Sequence, residues 1–139
     1  MSPEEQPTEK PMRGDDIAER LLEFAARVVK LASALPKSPV GQHISMQMVR
    51  SGTSAGANYE EARGAESHAD FAHKLGISLK ELRETRYWLK IIIRTALISP
   101  GRMKDIMREA DELCRILGKS ILTVKQKKTR APEPAPNSD

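Results

Sequence analysis

The 139-residue sequence has one cysteine, one Trp, two Tyr and two Phe, and its apolar runs stop at three residues, as in Ile91-Ile92-Ile93. A single thiol, Cys114, excludes an intrachain disulfide and any metal cluster built on several cysteines. The absence of a long apolar run excludes a membrane-spanning helix, which needs about 20 predominantly apolar residues. The N-terminus has acidic and Pro-containing sequence where a secretory signal has a basic and then an apolar stretch, so a cytoplasmic location is expected. With aromatics at 4% and hydrophobic residues at 39%, aliphatic side chains must fill the core, and this favours packed helices over a β-sandwich. The length suits one domain and is short for two.

Charge is plentiful and unevenly spread. Lys and Arg number 23 against 19 Asp and Glu, a net charge of +4 with a pI near 9.3. Residues 1–16 hold five acids and two bases, and residues 125–139 hold four bases and two acids. The 17 bases and 12 acids between them make the central part about +5. Such a surface suits a polyanion such as RNA or DNA, and it equally suits plain solvation.

Met1–Gly14 and Thr129–Asp139 are rich in Pro and polar residues and cannot bury enough apolar surface to offset ordering entropy. The expected division is a disordered tail over 1–14, a helical domain over 15–126 and a disordered tail over 127–139. Four segments inside the domain repeat apolar residues at helical spacing. The first starts at Asp15 or Asp16, runs through Ile17, Leu21, Phe24, Val28 and Leu31, and ends before Pro36. The second opens with Ser38-Pro39, aligns Ile44, Met48, Gly52, Ala55, Tyr59 and Ala62, and stops near Gly64. The third opens at Ser67 with Asp70 three residues on, aligns Phe71, Leu75, Ser78, Leu82, Leu89, Ile93 and Ala96, and breaks at Ser99-Pro100-Gly101. The fourth follows that Ser-Pro step and aligns Met103, Ile106, Ala110, Leu113, Cys114, Leu117, Ile121 and Val124. Short loops between such helices predict an all-α, antiparallel up-and-down four-helix bundle.

Two features exceed what a simple bundle needs. Ser51-Gly52-Thr53-Ser54-Ala55-Gly56-Ala57 is a poor helix former, each glycine costing about 1 kcal/mol relative to Ala. Gly52 and Ala55 fall on the core face, so close approach of a neighbouring helix is the expected reason. A phosphate-binding loop is rejected, because the run lacks the GxxxxGK[ST] pattern and a preceding strand. The third helix also carries a second apolar set, Ile77, Trp88, Ile91 and Ile92, rotated by roughly 100° from its core stripe. It reads as a subunit interface, or as a wide face covered by the flanking helices.

No Ser/His/Asp or Cys/His arrangement can be proposed, so no catalytic residue is expected. A di-metal bundle site needs Glu-x-x-His on two helices with further carboxylates, and Asp70-Phe71-Ala72-His73 has related spacing only once. His43 has no matching carboxylate pattern, and the adjacent Glu60 and Glu61 diverge by about 100° on a helix. Cys114, among apolar neighbours, reads as an inert core residue. No metal or other cofactor is expected. Two basic rows are the better candidates for a site. Arg83, Arg86, Lys90 and Arg94 follow one arc of the third helix, and Lys104, Arg108, Arg115 and Lys119 follow one arc of the fourth. Either row suits a phosphate backbone, although Glu81, Glu84, Asp111 and Glu112 lie close enough in sequence to make a salt-bridged, solvated face instead. Lys125-Gln126-Lys127-Lys128-Thr129-Arg130 adds a cationic arm.

The stretch Ser54-Ala55-Gly56-Ala57-Asn58-Tyr59-Glu60-Glu61-Ala62, then Asp70-Phe71, then Leu79-Lys80-Glu81-Leu82-Arg83-Glu84-Thr85-Arg86-Tyr87-Trp88-Leu89, resembles the four helix bundle proteins. That group includes proteins encoded in intervening sequences of bacterial 23S ribosomal RNA genes. The resemblance implies a protomer of a homopentameric ring and no catalytic activity. It also implies similarity to the accessory variability proteins of diversity-generating retroelements, basic pentamers that bind a reverse transcriptase and nucleic acid. Asn58, Glu60 and Arg63 match the family's segment, with an implied structural role in tying helices or subunits together. The expected function is therefore an oligomeric, non-catalytic protein that presents basic helix surfaces to RNA, DNA or a nucleic-acid enzyme. A structural protein-interaction oligomer that does not touch nucleic acid is the competing expectation.

Overall fold

The computed structural model describes residues 13–129, which form four helices: α1 (Gly14–Ala32), α2 (Pro39–Arg63), α3 (His68–Thr95) and α4 (Pro100–Thr129). Among the described residues there is no strand. The expectations of disorder over 1–12 and 130–139 lie outside the described residues. Within them, Gly14 already belongs to α1, and α4 continues through residues 127–129, past the expected boundary at 126.

The Ser-based starts fall where the sequence puts them. The Ser38 hydroxyl accepts the Gly41 N–H at 3.1 Å, and Pro39 occupies the first helical position, where no N–H is needed. The Ser67 hydroxyl likewise accepts the Asp70 N–H at 3.1 Å. The start of α1 differs from expectation. Arg13 is the cap residue, and Asp16 acts from inside the first turn, accepting the Arg13 N–H at 3.4 Å. The end of α3 also comes earlier than Ser99. Ala96 adopts a left-handed conformation (φ 55°), and the Leu97 N–H turns back onto the Ile92 carbonyl at 3.2 Å. Ala96 is consequently exposed and leaves the core stripe, while Ile98 anchors the connection by burial.

The helices neighbour one another in the cycle α1, α2, α3, α4, with no close backbone approach across either diagonal among the described residues and with the α1–α4 seam the sparsest. Phe24, Leu21 and Val28 of α1 meet Met48 and Ala55 of α2, Leu75, Leu82, Leu89 and Ile92 of α3, and Met103, Leu113 and Leu117 of α4 in one apolar core. Each fully buried aliphatic side chain of this kind stabilises by about 1.5–3 kcal/mol relative to exposure.

The glycine-rich stretch of α2 is explained from both of its neighbours. A Cβ on Gly52 would stand 2.9 Å from Cγ1 of Val28, so α1 approaches α2 too closely for alanine. On the other side, the Ser51 and Thr85 hydroxyls share a buried hydrogen bond of 2.7 Å, and the Ser78 hydroxyl donates to the Ala55 carbonyl at 2.6 Å. Small residues let the helix axes close up, and the hydroxyls satisfy one another without water.

Candidate nucleic-acid interface

The two basic rows occupy α3 and α4, which pack against one another. Arg83, Lys90 and Arg94 of α3, and Lys104, Arg108, Arg115 and Lys119 of α4, are all exposed. None of these seven makes an ion pair among the described residues. A shallow cleft of about 420 Å³ between the helices has Ile93 on one side and Lys104, Met107, Arg108 and Asp111 on the other.

Long-range pairing determines why these cations remain unneutralised. Glu81 and Glu84, which share α3 with the first row, are both taken by Arg50 of α2, the first at 3.0 Å. Glu109 and Glu112, which share α4 with the second row, are taken by Arg20 of α1 at 2.5 and 3.2 Å. Asp111 pairs with Arg86 at 3.5 Å across the α3–α4 seam. The acids expected to lace the rows into a solvated face are thus spent on other helices. Arg86 departs from its row in the same way: it is half-buried and holds α3 to α4, so it offers less to an external anion.

The second apolar set of α3 is largely satisfied within the bundle itself. Ile92 is fully buried and belongs to the core, which corrects its place in the expected subunit interface. The one-residue offset between Ile92 and the expected core residue Ile93 decides this, because α3 buries the Ile92 side and leaves Ile93 half-covered. Trp88 and Ile91 are half-buried and pack on the core, and Ile77 is also half-buried. The His43 ring of α2 meets Trp88 edge-on with centroids 5.7 Å apart, and the indole Nε1 is buried without a hydrogen-bond acceptor. The large apolar side chains left most open lie elsewhere, among them Met46 at 72%, Leu22 at 64% and Tyr87 at 60% exposure.

Tyr87 is the residue that periodicity missed. It sits four residues after Arg83 and three before Lys90, hence on the same outer arc of α3, and its ring leans on Trp88 at 5.9 Å. An aromatic inside a basic row was the available signal.

Other candidates are quiescent. Burial pushes the Cys114 thiol up, against the opposing pull of Arg86, Arg83 and Lys90, so the nucleophilic thiolate is disfavoured. His43, His68 and His73 are exposed, and no cluster of three His, Cys, Asp or Glu able to hold a metal occurs among the described residues. Asn58 donates to the Ser54 carbonyl within α2, while Arg63 engages Asp15 of α1 and Glu60 of its own helix, so the family-type segment ties α2 to α1. No described helix is long and apolar enough to cross a membrane.

Comparison with known proteins adds a family model described as 23S rRNA-intervening sequence protein, which matches residues 15–119. A crystal structure from Bacteroides thetaiotaomicron, of a protein of unknown function from the S23 ribosomal protein family, is similar at 40% sequence identity and a TM-score of 0.74. The match covers 80% of this chain and 99% of that one. No curated protein matches.

Proposed function

We propose, from the premise that this chain belongs to the 23S rRNA-intervening sequence protein family, that it is an oligomeric, non-catalytic protein whose α3–α4 face binds nucleic acid by its phosphates. The observation that carries this reading is the α4 row. Lys104, Arg108, Arg115 and Lys119 are exposed and unpaired among the described residues, while Glu109 and Glu112 are committed to Arg20 and Asp111 to Arg86, which leaves Asp105 as the one unengaged acid of α4 beside them. Four cations on one helical arc offer a line of charge to a backbone, and Arg83, Lys90 and Arg94 extend that face onto α3. The chemistry is counterion release and positioning, without bond making.

The protomer in this reading is an antiparallel up-and-down bundle. Contacts support it: Asp15, Leu21 and Val28 meet Arg63, Gly56 and Gly52 in turn, and His43, Arg50 and Glu61 meet Trp88, Glu81 and Lys74. Several protomers joined in a ring, five in the form that the family resemblance implies, repeat the cationic face and raise avidity without new contacts.

Fluorescence anisotropy of labelled single-stranded RNA and DNA against salt tests the reading. If the four α4 cations each neutralise one phosphate, affinity for a single strand falls about 50-fold between 50 and 200 mM salt. Lys104→Glu/Arg108→Glu then flattens that slope and weakens binding. Absence of binding at low salt overturns direct nucleic-acid recognition, and a protein partner that survives nuclease treatment of a lysate then becomes the supported reading.

A further inference from the structure

On the side of the bundle away from the basic rows, a groove of about 630 Å³ runs along the outer seam of α1 and α2. Ala18, Leu22 and Ala25 of α1 and Thr53, Gly56 and Ala57 of α2 line it. Small residues make it concave: a Cβ on Gly56 would stand 3.4 Å from Cβ of Leu21, so α2 lies low against α1 there. Its rim carries Asp15, Glu19 and Glu60. Arg63, also on the rim, is engaged by Asp15 and Glu60. Leu22, at 64% exposure, leaves an apolar strip open to water beside those carboxylates.

Helix α3 stands diagonally across from α1, and their backbones do not approach closely among the described residues. Its outer arc is the converse of the groove, with Tyr87 projecting at 60% exposure between the unpaired cations Arg83 and Lys90. The asymmetry extends to whole helices. α1 and α2 carry five Lys or Arg against six Asp or Glu, whereas α3 and α4 carry 14 against seven.

We propose that the α1–α2 groove of one protomer receives the α3 ridge of a second copy, Tyr87 filling the apolar strip while Arg83 and Lys90 meet the Glu19 and Glu60 carboxylates. The two surfaces differ in shape and charge and lie on different sides of the protomer. Their contact is therefore heterologous, the kind that closes into a ring when the rotation between copies permits. An aromatic anchor seated on small residues supplies the desolvated centre, and the opposite charges at the rim set register and exclude the like-charged alternative. This inference rests on the oligomeric part of the proposed function and divides its cationic face. The α3 share is used between protomers, leaving Lys104, Arg108, Arg115 and Lys119 for nucleic acid.

Size-exclusion chromatography with light scattering, on the nucleic-acid-free full chain, tests the contact. The wild type is expected to be assembled. Ala57→Arg, which fills the groove, and Tyr87→Glu should each weaken assembly at least tenfold with helical circular dichroism unchanged, since both positions are exposed in the protomer. Glu19→Lys/Glu60→Lys and Arg83→Glu/Lys90→Glu should each dissociate the assembly, and all four substitutions in one chain should restore it. Lys104→Glu/Arg108→Glu should stay assembled while losing nucleic acid, so failure of nucleic-acid binding alone leaves this contact standing. A monomeric wild type, or an assembly unaltered by Ala57→Arg and Tyr87→Glu, overturns it and leaves the groove to residues 1–12 or to a foreign helix.

Discussion

Replacing glycine by alanine at three helical positions should give stability changes of opposite sign, because intrinsic propensity is common to all three and packing is not. Inside a helix, the exchange gains about 1 kcal/mol of propensity. At Gly76 and Gly118 the added Cβ would meet nothing within 4 Å, so each substitution should realise that gain. At Gly52 the same Cβ would stand 2.9, 3.2 and 3.2 Å from three atoms of Val28. Val28 is fully buried and β-branched, so its single favoured helical rotamer gives it little room to retreat. Overpacking of this kind costs about 1–3 kcal/mol, which cancels or exceeds the propensity gain and leaves Gly52→Ala destabilised by up to about 2 kcal/mol. Urea denaturation followed by far-UV circular dichroism measures all three, with the midpoint moving up for Gly76→Ala and Gly118→Ala and down for Gly52→Ala. Val28→Ala should remove the penalty, so the double variant with Gly52→Ala should be more stable than the two single losses predict. A Gly52→Ala protein as stabilised as Gly76→Ala would refute close helix approach as the reason for this glycine.

Ala96→Gly should stabilise by about 1 kcal/mol in the same assay, since Ala96 holds a left-handed conformation that glycine adopts freely. Thr85→Val removes the 2.7 Å partner of the Ser51 hydroxyl inside the core and should cost about 1–3 kcal/mol; a neutral result would mean that the bond to the Met48 carbonyl suffices. A double-mutant cycle of Arg20→Ala with Glu109→Ala should return a coupling of about 1 kcal/mol, because both side chains are mostly covered and the contact has two prongs; zero coupling would leave the α1–α4 seam to apolar packing alone. Cys114 should react with a thiol reagent far more slowly in the folded chain than in urea, and equal rates would contradict its burial.

Much of the fold is legible in local sequence because it rests on local physics. Ser38 and Ser67 announce helix starts through a hydroxyl three residues from an orphan N–H, and the three- and four-residue apolar steps select Leu21, Met48, Leu82 and Leu113 for the core. The single cysteine likewise removes intrachain disulfide chemistry at the level of composition. Tertiary structure decided which charges stay free and which apolar faces stay open. Glu84 lies one residue from Arg83 and Glu112 three from Arg115, and spacing alone would let these neighbours cancel; Arg50 and Arg20 reach across from other helices and take the carboxylates instead. In the same way Ile92 and Tyr87 are equally compatible with a surface stripe by periodicity, yet one is fully buried and the other mostly exposed. A helix's own sequence specifies the direction of each side chain, whereas neutralisation and burial depend on what the neighbouring helices bring to meet it.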